Sequence, residues 1–315
     1  MGGAGSARDD SGRQERIAAQ RAAAHRAQVR NRLLLAGGAI VVVIVIVVVL
    51  LVGRGSSPSP AKSTGPAGPT GSALTQLITQ TTTVPEATLN KVGSGGGQVS
   101  AKPTSTTGSP SPLTSGGKPE MLYIGAEFCP FCAAERWAMI VALSRFGTFT
   151  GLATTHSAAK DGAGNAEPYP NTRTWTFVHA TYTSKYLTFT PVEELTNIPD
   201  PKTGDYTPLQ TPTSAQQALI TKYDAPPYVP AADAGSIPFV DYGNKYLTIG
   251  ASYDPGVLQG LSWNQIAADL HNPASPVAMS VLGTANYMTA AICGLTGDQP
   301  AAVCTSGIKS LQSQI

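Results

Sequence analysis

Apolar residues form one long uninterrupted run near the start of the chain and several shorter periodic segments after it. The long run, Leu33 to Val52, is twenty residues without a charged side chain, eleven of them Val or Ile. A helix of that length covers about 30 Å, the thickness of the hydrocarbon core of a bilayer. The run therefore predicts one transmembrane helix at residues 33–52, because a buried core helix of that length without a polar face would be unusual.

Positive charge lies on one side of this predicted membrane helix. Residues 1–32 hold seven arginines and three acidic residues, whereas only Arg54 and Lys62 follow closely on the other side. Arg-rich flanks stay in the cytoplasm, so residues 1–32 are predicted to be a cytoplasmic basic tail and the main domain to be extracytoplasmic. A cleaved signal peptide would have a shorter apolar run and a small-residue cleavage motif. The expected location is a cell membrane, with a single pass through the lipid bilayer.

Beyond the membrane helix, stretches rich in Gly, Ser and Pro alternate with apolar segments. Residues 53–72 contain sixteen Gly, Ser, Pro or Thr residues, which is typical of a flexible linker. Residues 73–117 predict a short packed segment followed by a second linker of the same kind, beginning at Gly93. The compact domain is predicted for residues 118–315.

Within the compact domain, apolar patterns predict strands that alternate with helices, which is typical of an α/β fold. The predicted elements are a buried strand at Met121–Ala126, a helix from Cys129 to about Phe146, β-rich segments at Thr174–Tyr182 and Lys185–Val192, a helix at Ser214–Tyr223, a hairpin of Ile237–Tyr242 and Lys245–Ile249, and an apolar helix at Val277–Ile292.

Composition excludes several classes of function. Charged residues make up only 13% of the chain, and no cluster of Lys and Arg follows residue 54, so no nucleic-acid partner is expected. The four histidines have no triad partners at an interpretable spacing, and no Gly-rich phosphate loop follows a strand. These patterns disfavour a hydrolase and a nucleotide-binding protein.

Two cysteines, Cys129 and Cys132, lie at the predicted junction of strand and helix. Free N–H groups and the dipole of a helix start favour a thiolate on an exposed first cysteine, with the second one turn below. Pro130 between them starts a helix without losing a backbone hydrogen bond. The pair predicts a reversible disulfide in which Cys129 attacks and Cys132 resolves. A static disulfide and half of a zinc site remain alternatives, although the other Cys and His residues show no paired spacing with them.

The motif carries a family resemblance. The run Gly125–Cys132 (Gly-Ala-Glu-Phe-Cys-Pro-Phe-Cys) resembles the strand-to-helix active site of thioredoxin-superfamily proteins, and Ser236–Pro238 resembles their cis-proline loop. Over about residues 74–315 the chain is also similar to a family of membrane-anchored thioredoxin-like proteins from actinobacteria and archaea, which brings no established substrate. The resemblance implies a thioredoxin-like α/β fold with an insertion at about 158–235 and extra C-terminal helices.

The resemblance also implies roles for individual residues. Cys129 is expected to be the nucleophile, Cys132 the resolving thiol, and Pro238 the cis-proline that faces the disulfide and holds the partner chain. Thioredoxins have a buried Asp six residues before the first cysteine, where this chain has Tyr123, and Glu127 cannot be assumed to replace it. The Pro-Phe dipeptide between the cysteines favours a more oxidising couple than the Gly-Pro of thioredoxins.

Four other residues carry predictions of their own. Cys293 and Cys304 are eleven residues apart, which outside the cytoplasm predicts a structural disulfide worth about 2 to 3 kcal/mol; a second redox pair is the alternative. Glu135 and Arg136 follow the motif on the helix and could tune the thiolate, but charged residues at such positions more often form a solvated helix face.

Together these patterns predict a membrane-anchored, extracytoplasmic thiol-disulfide oxidoreductase that exchanges disulfides with protein thiols and needs no cofactor. A quinone-linked membrane reductase as recycling partner is conceivable, but no residue supports it. The alternative function is a non-catalytic thioredoxin-like binding or assembly module of the cell envelope, in which the cysteines form structural disulfides.

Overall fold

The computed structural model describes residues 65–315. The basic tail at 1–32, the predicted membrane helix at 33–52 and most of the predicted linker lie outside the described residues. The described chain opens with two helices, α1 (Gly71–Thr82) and α2 (Glu86–Val92). Helix α1 thus includes the last two residues of the predicted linker.

The rest of the described chain contains twelve strands and five more α-helices. The strands are β1 (Thr104–Ser105), β2 (Thr114–Ser115), β3 (Lys118–Gly125), β4 (Gly147–Thr150), β5 (Ala153–His156), β6 (Arg173–Thr176), β7 (Thr181–Ser184), β8 (Thr188–Glu193), β9 (Leu195–Asp200), β10 (Asp205–Pro208), β11 (Phe239–Tyr242) and β12 (Tyr246–Ile249). The helices are α3 (Pro130–Ser144), α4 (Ser214–Tyr223), α5 (Trp263–Asp269), α6 (Pro276–Leu295) and α7 (Ser306–Gln312). The predicted α/β class is confirmed.

The main sheet is mixed and is built around β3. This strand pairs in parallel with β8 and antiparallel with β11, which in turn forms a hairpin with β12. Tyr123 in β3 lies opposite Pro191 on one side and Val240 on the other. The five residues from Met121 to Gly125 are all buried, as expected for a central strand covered on both faces.

The prediction that residues 93–117 form a second linker is wrong, because two short strands of this segment join the main sheet. Strand β1 pairs with β12, and β2 pairs with the beginning of β3. The backbone amides of Ser100 and Ala101 also donate hydrogen bonds to the carbonyl of Ser252. Backbone groups at the edges of a sheet bind a segment of any side-chain composition, so Gly- and Ser-rich sequence does not exclude it.

Helix α6 forms the centre of the main hydrophobic core and packs against α3. Its 20 residues are long and apolar enough to cross a membrane, but 89% of its apolar window is buried inside the domain. Ser275 caps it by accepting a hydrogen bond from the amide of Ala278, and Pro276 occupies its first turn. It therefore acts as a core helix of the domain.

Helices α1 and α2 pack on this core: α1 contacts α3 and α5, and α2 contacts α6. The side-chain amide of Asn286 in α6 donates to the carbonyls of Leu89 and Gly93 at the end of α2. Arg145 pairs with Glu86 at the start of α2, with both carboxylate oxygens 2.8 Å from Nη2. These contacts satisfy polar groups at both ends of α2 and fix it on the domain.

The range predicted as an insertion, 158–235, is not wholly separate from the main sheet, because it supplies β8. The remainder of the range holds β6, β7, the β9–β10 hairpin, helix α4 and long connections. Helix α4 has the predicted bounds and a capping box between Thr213 and Gln216.

Candidate functional site

Cys129 lies at the N-cap of α3, directly after the turn that leaves β3. Its φ and ψ of −74° and 121° are extended, and its Sγ accepts a hydrogen bond of 3.3 Å from the backbone amide of Cys132. Pro130 takes the first helical position, where the missing N–H costs nothing. A sulfur in this position accepts a hydrogen bond from one of the free N–H groups of the first helical turn.

The loop before β11 faces the same sulfur. The thiol of Cys129 donates to the carbonyl oxygen of Ile237 over 3.9 Å, and the peptide bond between Ile237 and Pro238 is cis. Strand β11 is hydrogen-bonded to β3, and this pairing brings the loop and the start of α3 together. Cys129, Cys132 and the Pro238 loop are therefore assembled at one place, and both cysteines are free thiols.

The predicted exposure of Cys129 is wrong, because only 3% of the residue is accessible and Cys132 is fully buried. A small apolar cluster surrounds them, to which the range 158–235 contributes Ala158, Leu195 and Tyr206. The ring of Phe128 stacks on Tyr206 with centroids 4.2 Å apart. Strand β3 and helix α3 by themselves would leave the start of α3 open to solvent. Residues from the range 158–235 cover it.

We call Ala158, Leu195 and Tyr206, with the segments that carry them, the cap. Backbone hydrogen bonds attach it to the Cys129–Cys132 motif, including one from the amide of Glu127 to the carbonyl of Leu195, and a side-chain hydrogen bond holds Tyr206 within it. The amide of Ala158 donates to the carbonyl of Phe128, and the hydroxyl of Tyr206 donates to Glu167 at 2.6 Å. The cap thus covers Cys129.

The expectation that Glu135 and Arg136 form a solvated face is also wrong, since both are fully buried. Arg136 donates from Nε and Nη2 to the two carboxylate oxygens of Glu193, at 2.8 and 2.6 Å, and from Nη2 to the carbonyl of Ala126 at 2.7 Å. Glu135 accepts from the amide and hydroxyl of Ser252. Each buried charge is paired or hydrogen-bonded, which is the condition for keeping it inside.

Burial raises the pKa of the Cys132 thiol well above its ordinary value, and the adjacent Cys129 acts in the same direction. Arg136 and the backbone at Ala126 act against this. Burial also raises the pKa of Tyr123. Its hydroxyl has no hydrogen-bond partner within residues 65–315.

Most of the described chain, including the Cys129–Cys132 motif, matches one protein family. Residues 105–294, more than half of the chain, match the family model described as Domain of unknown function (DUF929). The chain belongs to the DUF929 family. No curated protein and no solved structure matches it. The DUF929 segment contains Cys129, Cys132 and Pro238 and ends directly after Cys293.

Outside the redox motif, Cys293 at the end of α6 is bonded to Cys304, with the two Cα atoms 5.7 Å apart. Both cysteines are buried and belong to the main core, which fits a structural disulfide that holds α7 on the domain. Cys304 lies beyond the DUF929 segment. Among residues 65–315, no group of three or more Cys, His, Asp or Glu side chains is placed to hold a metal ion.

Glu193 is part of the candidate site but was not identified from the sequence. This residue follows Arg136 by 57 positions and ends the strand that pairs in parallel with β3. No local motif marks it. A single signal was present: Arg136 lies four residues after Cys132, on the same face of a helix that the apolar pattern predicts to be buried.

Proposed function

We propose that this DUF929 protein is a thiol-disulfide oxidoreductase on a thioredoxin-like fold, with Cys129 as nucleophile and Cys132 as resolving thiol. In this proposal residues 33–52 anchor it in the membrane with the domain outside the cytoplasm, and its substrates are protein thiols and disulfides. Exchange proceeds between sulfur atoms alone, so the proposal includes no cofactor.

One observation carries the proposal: two free thiols at a helix start face a proline loop that precedes a hairpin. The Sγ of Cys129 is 3.3 Å from the amide of Cys132 and 3.9 Å from the carbonyl of Ile237. The family resemblance implies the same three components in the same chain order. A static structural pair would have no need of the loop or of a buried cation behind it.

In the exchange, the thiolate of Cys129 attacks a disulfide R–S–S–R′, forms a Cys129–S–S–R bond and releases R′–S⁻. The thiolate of Cys132 then attacks the Sγ of Cys129 and releases R–S⁻. The two electrons of the protein dithiol reduce the substrate disulfide. The reverse sequence oxidises a substrate dithiol.

The burial of both cysteines favours a second candidate, a non-catalytic binding or assembly module of the cell envelope. With Cys129 only 3% accessible, a partner must displace part of the cap before it can reach the sulfur. In a binding module the two cysteines would contribute only to stability, so replacing either one should lower the stability by a similar amount.

Trapping by single variants separates these candidates. In Cys132→Ser the mixed disulfide cannot be resolved, so covalent, reductant-sensitive complexes with envelope proteins should accumulate through Cys129. Cys129→Ser is the matched control and should capture far less, because the sulfur of Cys129 at the helix start, and not that of Cys132, faces the Pro238 loop. Equal trapping by both variants, or no trapping together with equal losses of stability, would favour the binding module.

A further inference from the structure

A buried cation lies one helical turn behind the resolving cysteine. Cys132 and Arg136 are four residues apart on α3, and both are fully buried. Residues at this spacing are neighbours on one face of a helix. The guanidinium keeps its charge in nearly any environment. It therefore places a positive charge beneath Cys132, and the carboxylate of Glu193 balances that charge.

Three hydrogen bonds hold the guanidinium of Arg136 in place, and they leave its Nη1 nitrogen without a partner among residues 65–315. Glu193 and the carbonyl of Ala126 take Nε and Nη2, whereas Nη1 has no hydrogen-bond partner within the described part of the chain. A buried donor without a partner is uncommon and costly. The backbone at Ala126 interacts with both Arg136 and Cys132. Its carbonyl accepts a hydrogen bond from Arg136, and a backbone hydrogen bond at Ala126 lowers the pKa of Cys132.

The charged and titratable groups around Cys132 come from two strands and from its own helix. Tyr123 of β3 packs its ring 5.9 Å from the guanidinium carbon, and Glu193 at the end of β8 neutralises Arg136. Cys129 lies at the helix start. Of these groups Arg136 is the cation, so it is the one that favours negative charge on the sulfur of Cys132.

We propose that Arg136 is a positioning residue of the redox pair, whose guanidinium stabilises the negative charge of the Cys132 sulfur in the resolving step. This inference rests on the proposed function and deepens it. When Cys132 gives up its proton to solvent and attacks the Sγ of Cys129, its sulfur passes through a thiolate in an apolar setting. Arg136 offsets part of the cost of that charge, and Glu193 limits the effect by neutralising Arg136.

The test is a single-turnover reaction of the full-length reduced protein with dithiobis(nitrobenzoate), a disulfide whose two halves are coloured when released. Cys129 attacks the reagent and releases the first half. Cys132 then attacks the mixed disulfide and releases the second half, so the second phase measures resolution alone. Its rate is followed as a function of pH.

Three single variants separate charge from packing. Glu193→Gln leaves Arg136 unneutralised, so the second phase should become faster and its pH profile should move to lower pH. Arg136→Met should move both in the opposite direction, whereas Arg136→Lys, which keeps the charge but not the forked contact to Glu193, should lie between Arg136→Met and the parent protein. Each unit by which the pKa of Cys132 changes should alter the rate below that pKa by about threefold to fourfold.

The double variant Arg136→Met/Glu193→Gln covers the case in which a single variant does not fold, because it replaces the buried ion pair with a neutral pair. It should resolve more slowly than the parent protein but less slowly than Arg136→Met, in which the unpaired carboxylate of Glu193 adds a negative charge. Slower resolution in Glu193→Gln, equal losses in Arg136→Lys and Arg136→Met, or unchanged profiles throughout would overturn the inference. Failure of the proposed function looks different: the parent protein would then release no more than one coloured half for each molecule of reagent that reacts.

Discussion

Gly283 of α6 and Gly95 of the segment after α2 approach each other so closely that there is no room for a side chain. A Cβ on Gly283 would lie 2.6 Å from the Cα of Gly95 and 3.0 Å from its backbone nitrogen. This approach is possible because both residues are glycine. It places the 93–97 turn directly on the core helix.

The first prediction follows from this contact. Gly to Ala in the middle of a helix normally stabilises a protein by about 1 kcal/mol. Gly283→Ala should instead lower the free energy of unfolding, by about 1 to 3 kcal/mol, because the new methyl meets backbone that cannot rotate away. Chemical denaturation of the purified protein measures the change.

Gly307→Ala is the matched control for that prediction. Gly307 lies in α7, and a Cβ there would meet only the hydroxyl of Thr305, at 3.9 Å. Its stability should be unchanged or slightly higher. A stabilising effect of Gly283→Ala would contradict the close packing of the 93–97 turn on α6.

The second prediction concerns Asp241, a fully buried residue of β11. Burial raises the pKa of its carboxyl group to about 7, against the hydrogen bond from the amide of Asn244. The folded protein therefore binds more protons than the unfolded chain between about pH 4 and pH 7. Its stability should fall as the pH rises through that window.

Asp241→Asn should remove this dependence, because an amide does not titrate. Relative to the parent, the variant should gain up to a few kcal/mol at pH 8 and little or nothing at pH 4. Urea denaturation at both pH values measures the difference. Asp269→Asn, at a partly exposed site, should leave the slope of the parent intact, and an equal slope for Asp241→Asn would sink the argument.

The third prediction concerns the cap. Tyr206→Ala removes the ring that stacks on Phe128, so Cys129 should become more accessible. In a Cys132→Ser background, Cys129 is the one cysteine outside the Cys293–Cys304 disulfide. Its alkylation by iodoacetamide should accelerate severalfold in Tyr206→Ala. Tyr206→Phe keeps the ring and loses only the bond to Glu167, so it should react like the parent; equal rates in all three proteins would show that the cap is no barrier.

The fourth prediction concerns membrane topology. In a variant with Cys129 and Cys132 changed to Ser, a single cysteine at Ser59 should be labelled by a membrane-impermeant maleimide on intact cells. A single cysteine at Ser11 should be labelled only after the cells are broken. The opposite pattern would place the domain in the cytoplasm and remove the basis for an extracytoplasmic redox partner.

The sequence predicted those elements whose signals are local. The bounds of α4 and the hairpin that follows Pro238 were readable from periodicity and turn residues, and the Cys129–Cys132 spacing marked the site. What could not be read depends on distant contacts. Strands β1 and β2 use backbone hydrogen bonds that need no apolar side chains, and the burial of Arg136 depends on Glu193, which arrives 57 residues later.

The most direct test of thiol-disulfide exchange is a redox titration of the Cys129–Cys132 pair in the purified full-length protein. The protein is equilibrated in buffers of defined thiol-disulfide ratio, free thiols are blocked with a mass tag, and the tagged fraction is measured by mass spectrometry. We expect a reversible two-electron transition that is the same from the reduced and the oxidised side, is abolished in Cys129→Ser and leaves Cys293–Cys304 bonded throughout. A pair that stays in one state across all buffers, or that changes state irreversibly, would contradict the account.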